Sequence, residues 1–131
     1  MSEPVDVQPA VHGFEVTASP WFIVEQSDAE SGRYVFGYRI TIVNRGERWA
    51  RLISRHWIVV DADGRRSVVR GEGVVGRQPE FQPGASFVYS SFCPLTTAWG
   101  TMEGTYLLER EDGELFEVDI PRFFLVSQPG G

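Results

Sequence analysis

Apolar and polar residues alternate with a period of two along much of the chain, a pattern typical of half-buried β-strands. The clearest example runs from residue 34 to residue 43, where every second side chain is large and apolar. These side chains are Phe36, Tyr38, Ile40 and Ile42. No stretch of about 11 residues keeps the apolar spacing of a helix without an interrupting Gly or Pro. The pattern therefore predicts an all-β protein.

Turn residues separate the predicted strands, and the sequence Asp-Ala-Asp-Gly at 61–64 is a typical hairpin turn. The segments with strand character are residues 14–17, 21–25, 34–43, 51–60, 67–70, 86–92, 104–109, 114–120 and 123–126. Residues 93–102 contain Pro94 and Gly100 and are predicted to be irregular. About seven to eight mainly antiparallel strands favour a two-sheet sandwich or a small barrel. Because the disulfide of antibody domains needs a second cysteine, a fibronectin type III-like sandwich is the better prediction.

The length of 131 residues predicts one domain. We expect the fold to span residues 11–126, with flexible tails at residues 1–10 and 127–131. A composition of 42% apolar and 23% charged residues is sufficient for a hydrophobic core and too apolar for a disordered chain.

Charge and composition limit the function classes. The formal net charge of −6 argues against binding to nucleic acid or to an anionic membrane. All 12 basic residues are arginine, so mechanisms that need a lysine nucleophile are excluded. No signal peptide and no span of roughly 20 apolar residues is visible, which predicts a cytoplasmic protein.

Residues with catalytic or metal-binding chemistry are few and scattered. His12, His56 and Cys93 lie far apart in sequence, without the spacing of a zinc site. His56 shares its strand alternation with Leu52, so we expect it to point inward and to be hydrogen-bonded in the core. Cys93 is predicted to be a small buried residue. We therefore predict no catalytic residue, no metal site and no cofactor.

An acidic hairpin offers hard oxygen ligands for magnesium. Its carboxylates are Glu109, Glu111, Asp112 and Glu114. The favoured alternative is a solvated turn whose charges oppose edge pairing.

Two tryptophans lie outside clear strand interiors. Trp49 follows Arg48 in a turn, and Trp99 precedes Gly100 in the segment predicted to be irregular. Aromatic and arginine residues are enriched at protein interfaces, so Trp49 and Trp99 are candidate partner-binding residues. Alternatively, these rings cover the ends of the sandwich core.

Several sequence blocks resemble those of the ApaG family and occur in the same order. The blocks are residues 54–57, 71–79, 83–84, 94–95 and 100–104. The resemblance extends from about residue 11 to residue 126. It implies a fibronectin type III-like sandwich in a bacterial cytoplasm, protein binding, and a loose association with cobalt and magnesium homeostasis. It implies no catalytic residue, and one pyrophosphate-binding loop that would contain Gly71, Gly73 and Gly76.

The glycine-rich loop has the spacing Gly-x-Gly-x-x-Gly of a dinucleotide fingerprint. A dinucleotide site needs a helix after the glycines, and Pro79 and Pro83 would interrupt one here. The loop could still bind an anion through its backbone N–H groups, with Arg70 and Arg77 as side-chain contacts. The favoured alternative is that the three glycines permit a bulge or a close crossing of strands.

The sequence therefore favours a binding module that contacts an unidentified protein partner, and not an enzyme. The alternative is a small-molecule binder that holds a pyrophosphate-bearing nucleotide at Gly71, Gly73, Gly76, Arg70 and Arg77.

Overall fold

The computed structural model describes residues 12–127, which form eight β-strands and two short 3₁₀ turns. The strands are β1 (Phe14–Phe22), β2 (Tyr34–Asn44), β3 (Ala50–Asp61), β4 (Arg66–Glu72), β5 (Glu80–Phe81), β6 (Ser86–Leu95), β7 (Trp99–Arg110) and β8 (Leu115–Val126). The 3₁₀ turns, Val24–Gln26 and Ala29–Ser31, lie between β1 and β2. No helix in this part of the chain is long and apolar enough to cross a membrane.

The strands form two antiparallel sheets that pack face to face. One sheet has the order β1-β2-β6, and the other has the order β4-β3-β7-β8, with the short β5 paired to the start of β3. Strands β1 and β8 contact each other and close one side of the sandwich. Strands β4 and β6 are the edges on the other side. The predicted two-sheet sandwich is confirmed.

The core consists of the inward-facing apolar side chains of both sheets. Phe36, Tyr38, Ile40 and Ile42 are all buried, as the alternation in β2 predicts. In β8, Val118 is buried in the same way. The large rings of Tyr38 and Trp57 meet edge to face across the two sheets, with centroids 5.5 Å apart.

A bulge in β3 changes which side chains face the core. Leu52 pairs with Leu108 of β7, and Ser54 pairs with the neighbouring Leu107. Ile53 therefore has no partner in the ladder. Beyond the bulge, Trp57 is buried, whereas His56 lies on the outer face of the sheet. The expectation that His56 points into the core is therefore wrong, because the extra residue reverses the alternation that began at Leu52.

Prolines within strands explain where the predicted boundaries were wrong. Pro20, Pro94 and Pro121 lie inside β1, β6 and β8, each of which is an edge strand. Edge strands tolerate proline because a missing N–H on the outer side breaks no ladder hydrogen bond. Two pairs of predicted segments are therefore joined, 14–17 with 21–25 in β1 and 114–120 with 123–126 in β8. Residues 24–25 belong to a 3₁₀ turn and not to a strand.

Residues 93–102, predicted to be irregular, are mostly in strands. Strand β6 continues to Leu95, and β7 begins at Trp99. Residues 1–11 and 128–131, which include most of both predicted tails, lie outside the described residues. Ser127 is described and buried, and its N–H donates to the carbonyl of Ala98 at 3.0 Å.

The close pairing of β7 with β3 leads to a stability prediction. A Cβ atom at Gly104 would lie 2.0 Å from the carbonyl oxygen of His56, so the strands must separate to admit it. We expect Gly104→Ala to lower the free energy of unfolding by about 3 kcal/mol. Urea denaturation measures this loss, with Thr105→Ala as the control in the same strand. A loss no larger than that of the control would contradict the register.

Candidate functional site

The open side of the sandwich contains a cleft of about 330 Å³ between β4 and β6. Its walls come from the inner faces of both sheets, and its mouth is formed by Val69 of β4 and Phe92 of β6. The wall residues include Tyr38, Trp57, Val59, Cys93, Leu95 and Met102. Arg55, Ser67 and Ser91 are polar side chains in this mainly apolar lining. The cleft therefore combines an apolar interior with a single positive charge.

Arg55 connects β3 to the glycine-rich segment. Its Nη1 donates to the carbonyl oxygens of Glu72 at 3.0 Å and Gly73 at 2.9 Å. Gly71 is the register partner of Arg55, and a Cβ at Gly71 would lie 2.7 Å from Nη2. The guanidinium can lie across β4 only because this position has no side chain. Among residues 12–127, no carboxylate forms an ion pair with Arg55.

Tyrosine hydroxyls extend the polar part of the interior. The hydroxyls of Tyr89 and Tyr106 are hydrogen-bonded to each other, and Tyr38 lies opposite Ser91 in the β2–β6 ladder. Burial raises the pKa of Tyr89 and Tyr106 well above the ordinary tyrosine value. Burial also raises the pKa of Tyr38. The three hydroxyls are therefore protonated at neutral pH.

The glycine-rich segment is a tight hairpin turn. The N–H of Val74 donates to the carbonyl of Arg77 at 2.8 Å, and the N–H of Arg77 donates back at 2.9 Å. Val75 and Gly76 between them have φ values of 43° and 78°, as a type I′ turn requires. A short strand, β5, follows this segment, where a dinucleotide site would need a helix.

The turn also packs against the bulge in β3. The carbonyl of Ile53 accepts hydrogen bonds from the N–H of Gly73 at 2.8 Å and from Nε2 of Gln78 at 3.0 Å. A Cβ at Gly73 would lie 2.2 Å from the Arg77 carbonyl oxygen. Three of the N–H groups proposed for an anion, those of Gly73, Val74 and Arg77, therefore have partners within the protein.

The structure separates the two arginines proposed as phosphate contacts. Arg70 lies on the outer face of the sheet and lines a hollow of about 490 Å³ with His56 and Gly71. The Arg77 guanidinium lies over the ring of Phe87, 5.5 Å from its centroid, toward the other sheet. Each arginine therefore lies beside a different glycine of the segment, Arg70 beside Gly71 and Arg77 beside Gly76, and their side chains point in different directions.

The two candidate tryptophans are also far apart. Trp49 precedes β3, is half-buried, and donates from Nε1 to Glu80 at 3.3 Å. Trp99 begins β7 and is 45% exposed. Because β3 and β7 are antiparallel along their whole length, these residues lie at opposite ends of the sheet. They do not form one surface.

Trp99 instead belongs to a group of exposed apolar side chains that we call the Trp99 surface. Its members are Trp21, Val24, Trp99, Phe124 and Val126. Trp99 and Val126 are direct cross-strand partners, and the other three line a shared groove with Val126. This surface lies on the closed side of the sandwich, where β1 meets β8.

Residues with metal-binding chemistry are not clustered. Among residues 12–127, no three His, Cys, Asp or Glu side chains are grouped so that they could hold an ion. The His12 ring packs on Phe116, with centroids 4.9 Å apart. The acidic hairpin forms ion pairs with arginines, the shortest between Arg48 and Glu111 at 2.7 Å. The hydrogen bond from Arg48 lowers the pKa of Glu111.

Comparison with known proteins identifies the family. The ApaG domain family matches residues 24–110 of the 131 residues. The chain belongs to this family. It is 57% identical over 113 residues to Protein ApaG of Dechloromonas aromatica, covering 86% of this chain and 89% of that protein. It is 52% identical over 113 residues to Protein ApaG of Brucella suis, covering 86% and 87%.

A solved structure shows the same fold. The crystal structure of the ApaA protein from Bordetella pertussis matches with a TM-score of 0.85 at 47% identity. The match covers 92% of this chain and 96% of that one. The predicted family is therefore confirmed. Two of the blocks that carry the ApaG resemblance, residues 54–57 and 71–79, meet in space through the hydrogen bonds of Arg55.

Sequence reasoning missed the residues that form the cleft and most of the Trp99 surface. Arg55 lies in a resemblance block, but the bulge that turns it inward has no local signature. Phe124 and Val126 could have been found, because alternation in β8 places them opposite the buried Phe123 and Leu125. Apolar side chains on both faces of a strand indicate that both faces are shielded from water.

The environment of Cys93 predicts slow thiol chemistry. Burial raises the pKa of this thiol to about 11, well above the ordinary cysteine value. A rise of this size reduces the thiolate at pH 8 by about 100-fold. Because a thiolate of higher pKa is also more nucleophilic, we expect a thiol reagent to modify the folded protein about 10-fold more slowly than the urea-unfolded chain, and the rate to climb as the pH approaches the raised pKa. Equal rates in both states would show that the cleft is open to bulk water.

Proposed function

We propose that this ApaG-family protein is a protein-binding module, not an enzyme, and that the Trp99 surface is its contact area. The observation that carries the proposal is the exposure of adjoining large apolar side chains. Phe124 is 56% exposed, Trp99 and Trp21 are each 45% exposed, and Val126 is 43% exposed. Contiguous apolar surface of this kind marks sites of interaction.

The arrangement within the surface supports a binding role. Aromatic side chains bury much apolar area while losing little conformational freedom. Trp21 is already held in place, because its ring lies directly over Gly37, where a Cβ would be 2.3 Å from the indole. One face of the Trp21 ring packs against the backbone at Gly37, and the other face is free to contact a partner. A rigid surface of this type loses less entropy on binding than a mobile loop.

The partner supported by this chemistry is a protein with an apolar patch of its own. The net charge of −6 favours partners without a strongly acidic surface. An association with cobalt and magnesium homeostasis would then be indirect, acting through the bound protein. The scattered positions of His12, His56 and Cys93 support that interpretation.

A pyrophosphate-bearing nucleotide at the glycine-rich turn stays a prediction from the sequence. The turn offers it fewer backbone donors than a nest would, since Gly73, Val74 and Arg77 donate within the protein. Arg70 beside Gly71 is the side chain best placed for a phosphate. The Trp99 surface supports the protein-binding proposal more directly.

Paired substitutions in β8 test the proposed contact. Phe124 and Leu115 are both 56% exposed on the same strand, but only Phe124 lies in the Trp99 surface. We expect Phe124→Ser to weaken binding of a captured cellular partner by about 30-fold, as loss of a central interface aromatic does. Leu115→Ser should bind as the unchanged protein does. Calorimetry with the purified partner measures the affinity of each variant and of the unchanged protein.

Two results would contradict this proposal. One is equal binding of the same partner by the Phe124 and Leu115 variants. The other is the absence of any partner at cellular concentrations. If the partner is a second copy of this chain, light scattering of the purified protein will detect a dimer. Phe124→Ser should then convert that dimer to a monomer.

A further inference from the structure

We propose that the cleft between β4 and β6 binds a small amphipathic carboxylate, with the apolar body between the sheets and the carboxylate on Arg55. The cleft lies on the open side of the sandwich, whereas the Trp99 surface lies on the closed side where β1 meets β8. The inference therefore stands independently of the protein-binding proposal.

Charge complementarity indicates an anion. Arg55 brings a full positive charge into an apolar cleft, and within residues 12–127 it has no carboxylate partner. Within these residues its guanidinium donates two hydrogen bonds, both from Nη1 to main-chain carbonyls. The remaining guanidinium donors can face a ligand. A planar guanidinium matches a carboxylate in two parallel hydrogen bonds.

The walls indicate that the rest of the ligand is apolar. Trp57 is 3% exposed and Met102 is 2% exposed at the base of the cleft, while Val69 and Phe92 stand at its mouth. Its volume of about 330 Å³ is at the lower end of the range for small-molecule pockets, about 300 to 1,000 Å³. A short alkyl chain or a single ring fits this space better than a nucleotide.

The hydroxyl groups near Arg55 are compatible with an anion. Tyr38 and Ser91 face each other across the β2–β6 ladder within the lining. Because burial keeps the Tyr38 hydroxyl protonated, it can donate to a carboxylate and does not repel it. The ligand would therefore meet donors at one end and apolar walls at the other.

Methionine labelling gives a direct probe of the cleft. The chain has two methionines, Met1 and Met102, and Met102 lines the cleft. The probe ligands are sodium octanoate and its neutral analogue octanamide, titrated into protein with ¹³C-labelled methionine methyl groups. We expect octanoate to shift the Met102 signal saturably and to leave the Met1 signal unchanged. Octanamide should bind about 10-fold more weakly, because it lacks the charge that pairs with Arg55.

Matched substitutions on β4 identify the binding position. Val69 is 46% exposed and faces the cleft, whereas the adjacent Val68 is 48% exposed and faces away. We expect Val69→Trp to abolish the octanoate-induced shift by filling the mouth, and Val68→Trp to preserve it. In Arg55→Gln, octanoate and octanamide should bind equally. If that variant does not fold, the comparison of the two ligands in the unchanged protein still tests the role of the charge.

Three outcomes would overturn the proposal. The first is a Met102 signal that does not move at millimolar octanoate. The second is equal affinity for octanoate and octanamide in the unchanged protein. The third is equal loss of binding in Val68→Trp and Val69→Trp, which would place the ligand outside the cleft.

Discussion

The hydrogen bonds from Arg55 to the carbonyls of Glu72 and Gly73 link the two parts of this fold that are most irregular. They join the strand that follows the β3 bulge to the tight turn that follows β4. Gly73 and Gln78 complete the connection by donating to the carbonyl of the bulged residue, Ile53. Each irregular element therefore satisfies the polar groups that the other leaves unpaired, and the cleft takes its shape and charge from that arrangement.

The same arrangement gives a structural reason for each glycine of the segment, and that reason does not require a bound ligand. Gly71 leaves room for the guanidinium, Gly76 has a positive φ within the turn, and Gly73 has a positive φ just before it. The two proposed binding sites lie on opposite sides of the sandwich. The closed side, where β1 meets β8, exposes the apolar Trp99 surface, and the open side, between β4 and β6, contains the charged cleft. A partner on one side leaves the other free for a small ligand.

Much of the fold could be predicted from the sequence because strand alternation is a local property. The buried face of β2 and the hairpin around residues 110–113 follow from it directly. The site was harder to predict because the bulge at Ile53 is hydrogen-bonded by Gly73 and Gln78, which lie 20 and 25 positions further along the chain. Nothing in Leu52, Ile53 or Ser54 themselves marks an inserted residue. Alternation alone therefore predicts that His56 points inward and gives no sign that Arg55 lines an interior cleft.

A double-mutant cycle on Arg55 and Gly71 tests the central interaction most directly. The free energy of unfolding is measured for the unchanged protein, Gly71→Ala, Arg55→Ala and the combined variant. Since the added methyl group collides only with the guanidinium among the atoms nearest to it, Gly71→Ala should be costly with Arg55 present and nearly neutral without it. The predicted coupling is about 1 to 2 kcal/mol. Equal costs of Gly71→Ala in both backgrounds would contradict the placement of Arg55 across β4.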